Sequence, residues 1–352
     1  MQNHTPTVLI AGGSGLIGSA LTQHLEARGF KVLKLTRSAT QLNHLFWDPQ
    51  ANQIDTTQLD QFDILINLVG ENIGSKRWTP KRKAQILSSR VQSTHFLSSL
   101  IPQMTNLQYY IGASGVNCYE NFPGQVFTEE DTYGTDFLAT VVKEWEAAHA
   151  LVLKQVPGSI FRISMVLSGH GGSLQLMKLP ISLGIGSPIG TGKQTNPWIH
   201  LDDLCRLLLF AVEHKLQGTY NALGNYDTNT EMTQLLAKWL RRPLLLPKIP
   251  AFVLRLLLGE RAILVLSDLR ASNEKIKFVD QVYSLCEKNY ENGGDRVVEC
   301  FTPIEILNEF KTLKDVHKYC GLKIEQSLNC RWGEDDDTQL KAYDNFKEKW
   351  LD

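Results

Sequence analysis

Thr7-Val-Leu-Ile-Ala11 runs without a break into Gly12-Gly13-Ser14-Gly15-Leu16-Ile17-Gly18, and the reading of these twelve residues decides the fold. The first five are apolar or β-branched and carry no charge, the composition of a buried strand. Glycines at 12, 15 and 18 then allow a tight turn, a close approach of backbone to a ligand, and close packing of helix on strand. An amphipathic stretch continues to Arg28-Gly29, so the segment predicts strand, turn and helix. The N–H groups that open such a helix have no intrahelical partner and suit the pyrophosphate of a dinucleotide. Gly12, Gly15, Leu16, Ile17 and Gly18 are the predicted cradle.

Outward from this unit, uncharged or alternating runs at 31–35, 62–67, 108–112 and 159–163 predict strands, and 79–100 and 136–153 predict helices. Strands alternating with helices predict an α/β fold, a Rossmann-type doubly wound parallel sheet over 1–168. Residues 169–197 are rich in glycine and lose periodicity, as loops that build a site do. Helical patterns return at 202–213, 230–240 and 250–266, which makes 169–277 a smaller substrate lobe into which strands of the sheet can continue.

The chain has 352 residues, 36 Lys+Arg against 37 Asp+Glu, and 43% hydrophobic residues. That balance excludes a disordered chain and gives no basic field for nucleic acid as the main partner. The nearest approach to a membrane span, 250–266, carries Arg255, Glu260 and Arg261 and falls short of the about 20 apolar residues a span needs. Met1 leads into Thr7 without a basic n-region or cleavage pattern, so the expected address is the cytoplasm. Six cysteines form no C-x-x-C and no zinc spacing, which reads as reduced thiols and no metal site. Residues 278–352 hold 10 Lys+Arg against 16 Asp+Glu, while 1–277 hold 26 against 21. This reads as a small acidic, α-rich appendage that lies against the main body, or as a solvated helical surface. A homo-oligomer stays open.

The end of the second strand selects the dinucleotide. An NAD site places Asp or Glu there for the ribose 2′-OH, but this chain reads Leu35-Thr36-Arg37-Ser38. Arg37 can pair with a 2′-phosphate, or it is a solvated surface arginine. NADP(H) is the expected cofactor.

A further ordered set joins the glycine triplet: Asp63-Ile-Leu-Ile-Asn67-Leu-Val-Gly70-Glu71-Asn72-Ile73, Arg77-Trp78-Thr79, Ser89-Arg90-Val91, Trp145-Glu146, Gly184-Ile-Gly186-Ser-Pro188-Ile-Gly190-Thr-Gly192-Lys-Gln194 and Trp198-Ile-His200-Leu-Asp202-Asp203. Together these resemble the YfcH-like sugar-nucleotide epimerases of the extended, atypical short-chain dehydrogenase/reductase superfamily, over roughly residues 7–277. Arg241-Arg242-Pro243, Pro250-Ala-Phe and Leu258-Gly259-Glu260 resemble that family's C-terminal domain of unknown function. The resemblance implies a Rossmann fold, bound NADP(H) and a small polar, nucleotide-sugar-like substrate. It implies that the glycines hold the pyrophosphate and Arg37 the 2′-phosphate, that Asn67, Leu68 and Val69 line the cofactor path with Gly70 and Arg90 beside it, and that Gln194 and Trp198 face substrate. Ser114 falls where the superfamily keeps a catalytic serine, although a small serine ending a core strand needs no chemistry.

Hydride transfer at a carbonyl needs a proton partner, and the superfamily supplies it as Tyr-x-x-x-Lys on one helix face. Here Phe137 and Val141 take those positions. The spacings Tyr319/Lys323 and Tyr343/Lys347 lie in the acidic tail and read as chance. Cys118 and Glu120 replace the outer residues of the family's Tyr-Tyr-Gly run around Tyr119, which alters the pocket loop; Cys118 has no activating neighbour in sequence and reads as structural. The remaining proton-transfer candidates are Tyr119, Glu144, Glu146, His200 and Asp203, while Lys143 reads as solvent-facing. His200 precedes a helix expected to be capped by Asp202, so capping competes with catalysis. Trp145 and Glu146 read otherwise as core packing and a surface acid. Arg162, at a strand end facing the glycine-rich stretch, could clamp a substrate anion.

Two functions fit: an NADP(H)-dependent reductase or epimerase in which Ser114 polarises a carbonyl, or an NADPH-binding redox sensor or scaffold that has lost the chemistry with the dyad. In the tail, Asn292-Gly293-Gly294-Asp295 predicts a turn into a strand at 296–300, Thr302-Pro303-Ile304-Glu305 a helix start, and 312–319 and 339–350 two more helices. Glu334-Asp-Asp-Asp337 lacks the alternate-ligand spacing of a calcium loop and reads as a solvated turn.

Overall fold

Uncharged, β-branched runs become the central strands. In a computed structural model that describes residues 5–120, 122–277 and 279, β1 (Thr7–Ala11) is buried along its whole length. On one side it pairs in parallel with β2 (Lys31–Thr36), which is followed by β3 (His44–Asp48) and the short antiparallel β4 (Gln53–Ile54). On the other it pairs in parallel with β5 (Ile64–Asn67), followed by β6 (Tyr109–Gly115). The strand β7 (Val126–Phe127) pairs elsewhere, and β8 (Gly158–Ile163) lies parallel to β6. A second sheet of four strands contains β9 (Met165–Ser168), β10 (Gly171–Gly172) and β11 (Thr195–His200). The strand β12 (Gly218–Ala222) completes the main sheet beside β8, β13 (Asn225–Thr228) completes the second sheet beside β11, and β14 (Arg270–Ala271) pairs with β7.

The main sheet order, β12-β8-β6-β5-β1-β2-β3-β4, reverses direction between β1 and β5. Ligands of such sheets bind outside the carboxyl ends of the strands at that reversal. Register brings the relevant ends level: Ala11 lies opposite Asn67, Ser114 opposite Arg162, and Arg162 opposite Asn221.

The helices follow from local caps. Helix α1 (Leu16–Ala27) starts at Gly15 with no side-chain cap, leaving its first N–H groups open. Helix α2 (Pro80–Leu100) is capped by Thr79 with Pro80 in its first turn, and α3 (Phe137–Leu153) by Asp136, whose side chain accepts from Ala139 N at 2.8 Å. Helix α3 packs on α2. Beneath them Leu9, Leu65, Leu97, Tyr110 and Val152 share one buried cluster.

Three expectations are corrected. The glycine-rich stretch contains a helix, α4 (Ser173–Ser182), although Pro180 lies inside it. Leu174, Met177 and Ile181 pack inward at helical spacing, and this burial outweighs the proline. Helix α5 (Leu201–His214), which packs on α1, is capped by His200 rather than Asp202, its ring nitrogen accepting from Asp202 N at 3.3 Å. Helix α6 (Asn229–Trp239) has a full Thr228/Glu231 capping box. The pattern at 250–266 is broken: α7 (Ala251–Leu258) stops at Gly259, whose φ of +60° no regular right-handed helix accommodates, and α8 (Ile263–Leu266) follows a 3-10 turn.

Residues as far as Asn273 form one compact unit, and its main sheet takes β12 from the stretch expected to build the substrate lobe. No helix among the described residues is long and apolar enough to cross a membrane. The features expected at 292–300, 302–305, 312–319, 334–337 and 339–350, with the spacings at Tyr319 and Tyr343, lie outside the described residues.

Candidate functional site

A cleft of about 540 Å³ opens at the carboxyl ends of β1, β2 and β5. Its floor is the glycine turn, in which Gly15 N donates to Gly12 O at 3.1 Å. Gly12 adopts φ +83°, and a Cβ there would lie 2.8 Å from Leu68 O. A Cβ on Gly18 would stand 2.5 Å from Gly12 O and 2.6 Å from Gly13 Cα, so helix and turn approach as closely as the missing side chains permit. One wall is Leu35, Thr36, Arg37 and Ser38, continued by Trp47 to Gln50; the other is Leu68, Val69, Gly70 and Glu71 with Ser88, Ser89 and Gln92 of α2. Arg37 is exposed, and among the described residues it has neither a hydrogen-bond nor an ion-pair partner. An unpaired guanidinium at this wall, above open helix N–H groups, makes a cleft complementary to anionic oxygens.

Several residues expected beside the cofactor brace the wall. Asn67 is fully buried; its amide nitrogen donates to Thr94 Oγ1 (2.9 Å) and Tyr110 Oη (3.2 Å), and its oxygen accepts from Val69 N (3.2 Å). Arg90 lies across Gly70, where a Cβ would come within 2.9 Å of its Cζ. It donates to Ile86 O and Glu71 O, over the face of Trp145. Burial lowers its pKa to about 10. Arg82 pairs with Glu71 at 2.8 Å and fixes the same loop. Leu68 and Val69 line the cleft directly, while Leu16 contacts the region of Gly172 from the start of α1.

The second part of the site is a buried charge cluster at the ends of β6, β8 and β12. Ser114 Oγ donates to Glu146 Oε1 at 2.5 Å. Arg162 grips the same carboxylate with Nε and NH2, each at 2.9 Å, and Tyr133 donates to its second oxygen at 2.7 Å. Arg162 NH1 donates to Tyr119 Oη at 2.9 Å, and that hydroxyl donates to Asn221 Oδ1 at 2.7 Å. Ser114, Glu146, Arg162 and Tyr119 are all buried. Burial alone would raise the Glu146 pKa, but the bonds and charge of Arg162 outweigh it and hold the carboxyl below its usual range. Burial and the neighbouring carboxylate push Tyr133 up to about 12, and burial pushes Tyr119 upward as well. Cys118 is wholly buried, and burial pushes its thiol up to about 12 despite Arg162. The arrangement can hold an ionised carboxylate and orient a serine hydroxyl; it contains no group tuned toward neutral pH.

Where the dyad would stand, Val141 is buried with Trp78, Ile86 and Leu138, and Phe137 meets Trp78 edge to face at 5.1 Å. His149, on the same helix, is fully buried, bonded to Tyr110 Oη (2.7 Å) and Ala113 O (2.9 Å), and burial lowers its pKa to about 4. It is a neutral strut under β6. His200 caps α5 from an exposed position. Gln194 is buried and bonded to Ile189 O, Val265 O and Thr191 Oγ1, and Trp198 donates to Asp227 Oδ2 at 2.7 Å. Both hold the 184–200 segment in place. Glu146, read in sequence as a surface acid, is the centre of the buried cluster. Sequence reasoning missed Tyr133, Asn221 and the 47–50 wall, because they come from separate loops and edge strands with no shared spacing.

Residues 8–155 match the NAD dependent epimerase/dehydratase family. The chain is 36% identical over 266 residues to the mouse epimerase family protein SDR39U1, covering 74% of this chain and 89% of that protein. It superposes on the crystal structure of human SDR39U1 (isoform 2) with NADPH at a TM-score of 0.70 and 32% identity, over 76% of this chain and 91% of that one. The dTDP-glucose 4,6-dehydratase DesIV from Streptomyces venezuelae, with NAD bound, shares the fold at a TM-score of 0.62 and 16% identity, over 77% and 89%.

Proposed function

Because the chain belongs to the epimerase family that includes SDR39U1, we propose that its glycine-floored cleft binds NADP(H) and that it acts as a reductase or epimerase on a small polar, nucleotide-sugar-like substrate. The observation that carries this reading is Arg37, without a partner among the described residues, on the wall of a cleft whose Gly12 and Gly18 leave no room for side chains. Gly12, Gly15 and Gly18 with the first N–H groups of α1 would hold the pyrophosphate, and Arg37 a 2′-phosphate. The solved human relative bound to NADPH supports this choice.

NADP(H) supplies a hydride donor or acceptor when bound. Ser114 can turn its hydroxyl from Glu146 to a substrate oxygen at the end of β6. Arg162 keeps Glu146 ionised, so the carboxylate accepts the Ser114 hydrogen bond without taking its proton. Ser114 therefore polarises and orients, Glu146 and Arg162 position it, and Tyr119 positions Arg162. The proton exchanged with substrate comes from water or from a substrate group. A second reading, an NADPH-binding sensor or scaffold without turnover, is favoured by the apolar packing of Phe137 and Val141.

Titration of nicotinamide fluorescence with NADPH and NADH, on the parent and Arg37→Ala, tests the cofactor assignment. NADPH is expected to bind more tightly, and Arg37→Ala to remove about 10- to 100-fold of that preference, the worth of a charge-assisted bond. Equal binding of both nucleotides by the parent would sink it. Substrate-dependent NADPH oxidation across a carbonyl panel separates the enzyme from the sensor.

A further inference from the structure

The outer surface of the lobe built by α4, α6 and α7 is apolar to a degree that the cleft chemistry does not use. Helix α4 buries Ile181 but leaves Leu176, Leu179 and Leu183 outside. Helix α6 buries Met232 and Leu236 and leaves Leu235 and Trp239 outside, the latter 68% exposed. The two helices share one core cluster, and Lys178 Nζ lies 5.1 Å from the Trp239 ring centroid, so their outer faces meet there. The chain continues through Leu245, 78% exposed, and Ser187 Oγ donates to Pro247 O at 2.6 Å, tying this segment to the loop after α4. Helix α7 then turns Phe252, Leu256 and Leu257 outward around a buried Leu254. Exposed apolar surface of this kind, with the outer faces of α4 and α6 adjoining and α7 following the 245–250 segment, is uncommon on soluble chains and marks an interaction site.

Charge identifies the partner. Residues 232–259 contain five Lys or Arg (Lys238, Arg241, Arg242, Lys248, Arg255) and no Asp or Glu, and 147–201, which includes α4, contain no acid either. The apolar surface is thus bordered mainly by Lys and Arg, with Glu231 at the start of α6 and Glu260 just after α7 at its ends. A symmetric contact with a second copy would set each basic rim against its own copy, a repulsive arrangement. Leu, Phe and Trp protruding among Lys and Arg have the composition of elements that lie in the headgroup layer of a membrane, with basic stems reaching to lipid phosphates.

We propose that the α4–α6–α7 surface is a peripheral docking site for an anionic lipid bilayer. The protein lies on the bilayer without spanning it, which accords with helices too short or too polar to cross one among the described residues. The apolar side chains enter the acyl boundary and the basic rim holds phosphate oxygens.

Sedimentation of the full chain with phosphatidylcholine vesicles, with and without phosphatidylglycerol, tests this. Binding is expected only with phosphatidylglycerol and to weaken as salt rises. Lys238→Gln with Arg242→Gln should lower partitioning at least tenfold, from about fivefold for each surface charge removed. Leu235→Ser with Trp239→Ser should lower it by a similar factor at any salt. All four side chains are exposed, so unchanged thermal melting shows that the variants fold. The proposal is overturned if the full chain ignores anionic vesicles, or if both variants bind like the parent. It is overturned equally if light scattering finds a dimer that the Leu235/Trp239 variant abolishes, which would make the surface a protein interface.

Discussion

Glu146→Gln probes the physical core of the site. Glu146 and Arg162 are 6% and 5% exposed, and the guanidinium meets the carboxylate through two parallel bonds of 2.9 Å. A glutamine keeps the volume but removes the charge, and its NH2 group faces donors from Arg162, Ser114 or Tyr133 whichever way it turns. Removing one partner of a buried pair costs about 3–5 kcal/mol, because the other charge stays desolvated. For a unit of this size that corresponds to a fall in Tm of roughly 6–10 °C. Calorimetry at neutral pH measures it, and the double variant Glu146→Leu/Arg162→Met should lose less than Glu146→Gln alone. The sign of the pH dependence follows from the lowered Glu146 pKa. A carboxyl whose folded value lies below its unfolded value stabilises fully above the unfolded value and loses that contribution as pH falls through the folded one. Acidification should therefore destabilise the parent more steeply than Glu146→Gln. A loss under about 1 kcal/mol for Glu146→Gln, within the range of a surface substitution, would refute the description of a closed, desolvated pair.

Gly18→Ala forces a Cβ to 2.5 Å from Gly12 O, a backbone atom that cannot yield without opening the turn; it should destabilise by about 1–3 kcal/mol and weaken nucleotide binding, measured by melting and by fluorescence titration. Rebuilding the dyad as Phe137→Tyr/Val141→Lys places an ammonium among the buried apolar side chains of Trp78, Ile86 and Leu138. It should cost about 3 kcal/mol or more at neutral pH and create no turnover, and because burial lowers a lysine's pKa the loss should shrink as pH rises. Stability that is unchanged at neutral pH would contradict the packing around Val141.

The parts of the fold legible in sequence are those in which one local signal dominates. Thr7 to Gly18 declares strand and turn because uncharged β-branched residues favour extended backbone and glycine takes the positive φ of the turn at Gly12 without steric cost, and Thr79-Pro80 and Asp136 announce their helices by capping. Helix α4 was hidden because Pro180 and the surrounding glycines argue against helix, while its favourable term is the burial of Ile181 against Met232 and Leu236, residues about 50 positions away. The strand β12 was hidden for a related reason: Gly218-Thr-Tyr-Asn-Ala222 is a weak strand alone and is fixed by its ladder to β8. In the site, the glycine turn and Arg37 were readable as local chemistry. The role of Glu146 was not, because a lone acid on a helix looks solvated until a strand 16 residues further on delivers Arg162.

That pairing also sets where α3 carries its buried polar chemistry. With a tyrosine and lysine on α3, the proton would travel along the helix face that here carries Phe137 and Val141. With those positions apolar, polarity at the end of β6 is concentrated one turn and more further along α3, at Glu146. A free carboxylate at that depth would take up a proton or destabilise the core; Arg162, Tyr133 and Ser114 prevent both by supplying charge and four hydrogen bonds to its two oxygens. The same bonds that keep Glu146 ionised disqualify it as a proton donor near neutral pH, and burial holds the Tyr133 and Tyr119 phenols protonated. The cluster is thus suited to hold the Ser114 hydroxyl in place and to keep its own protons.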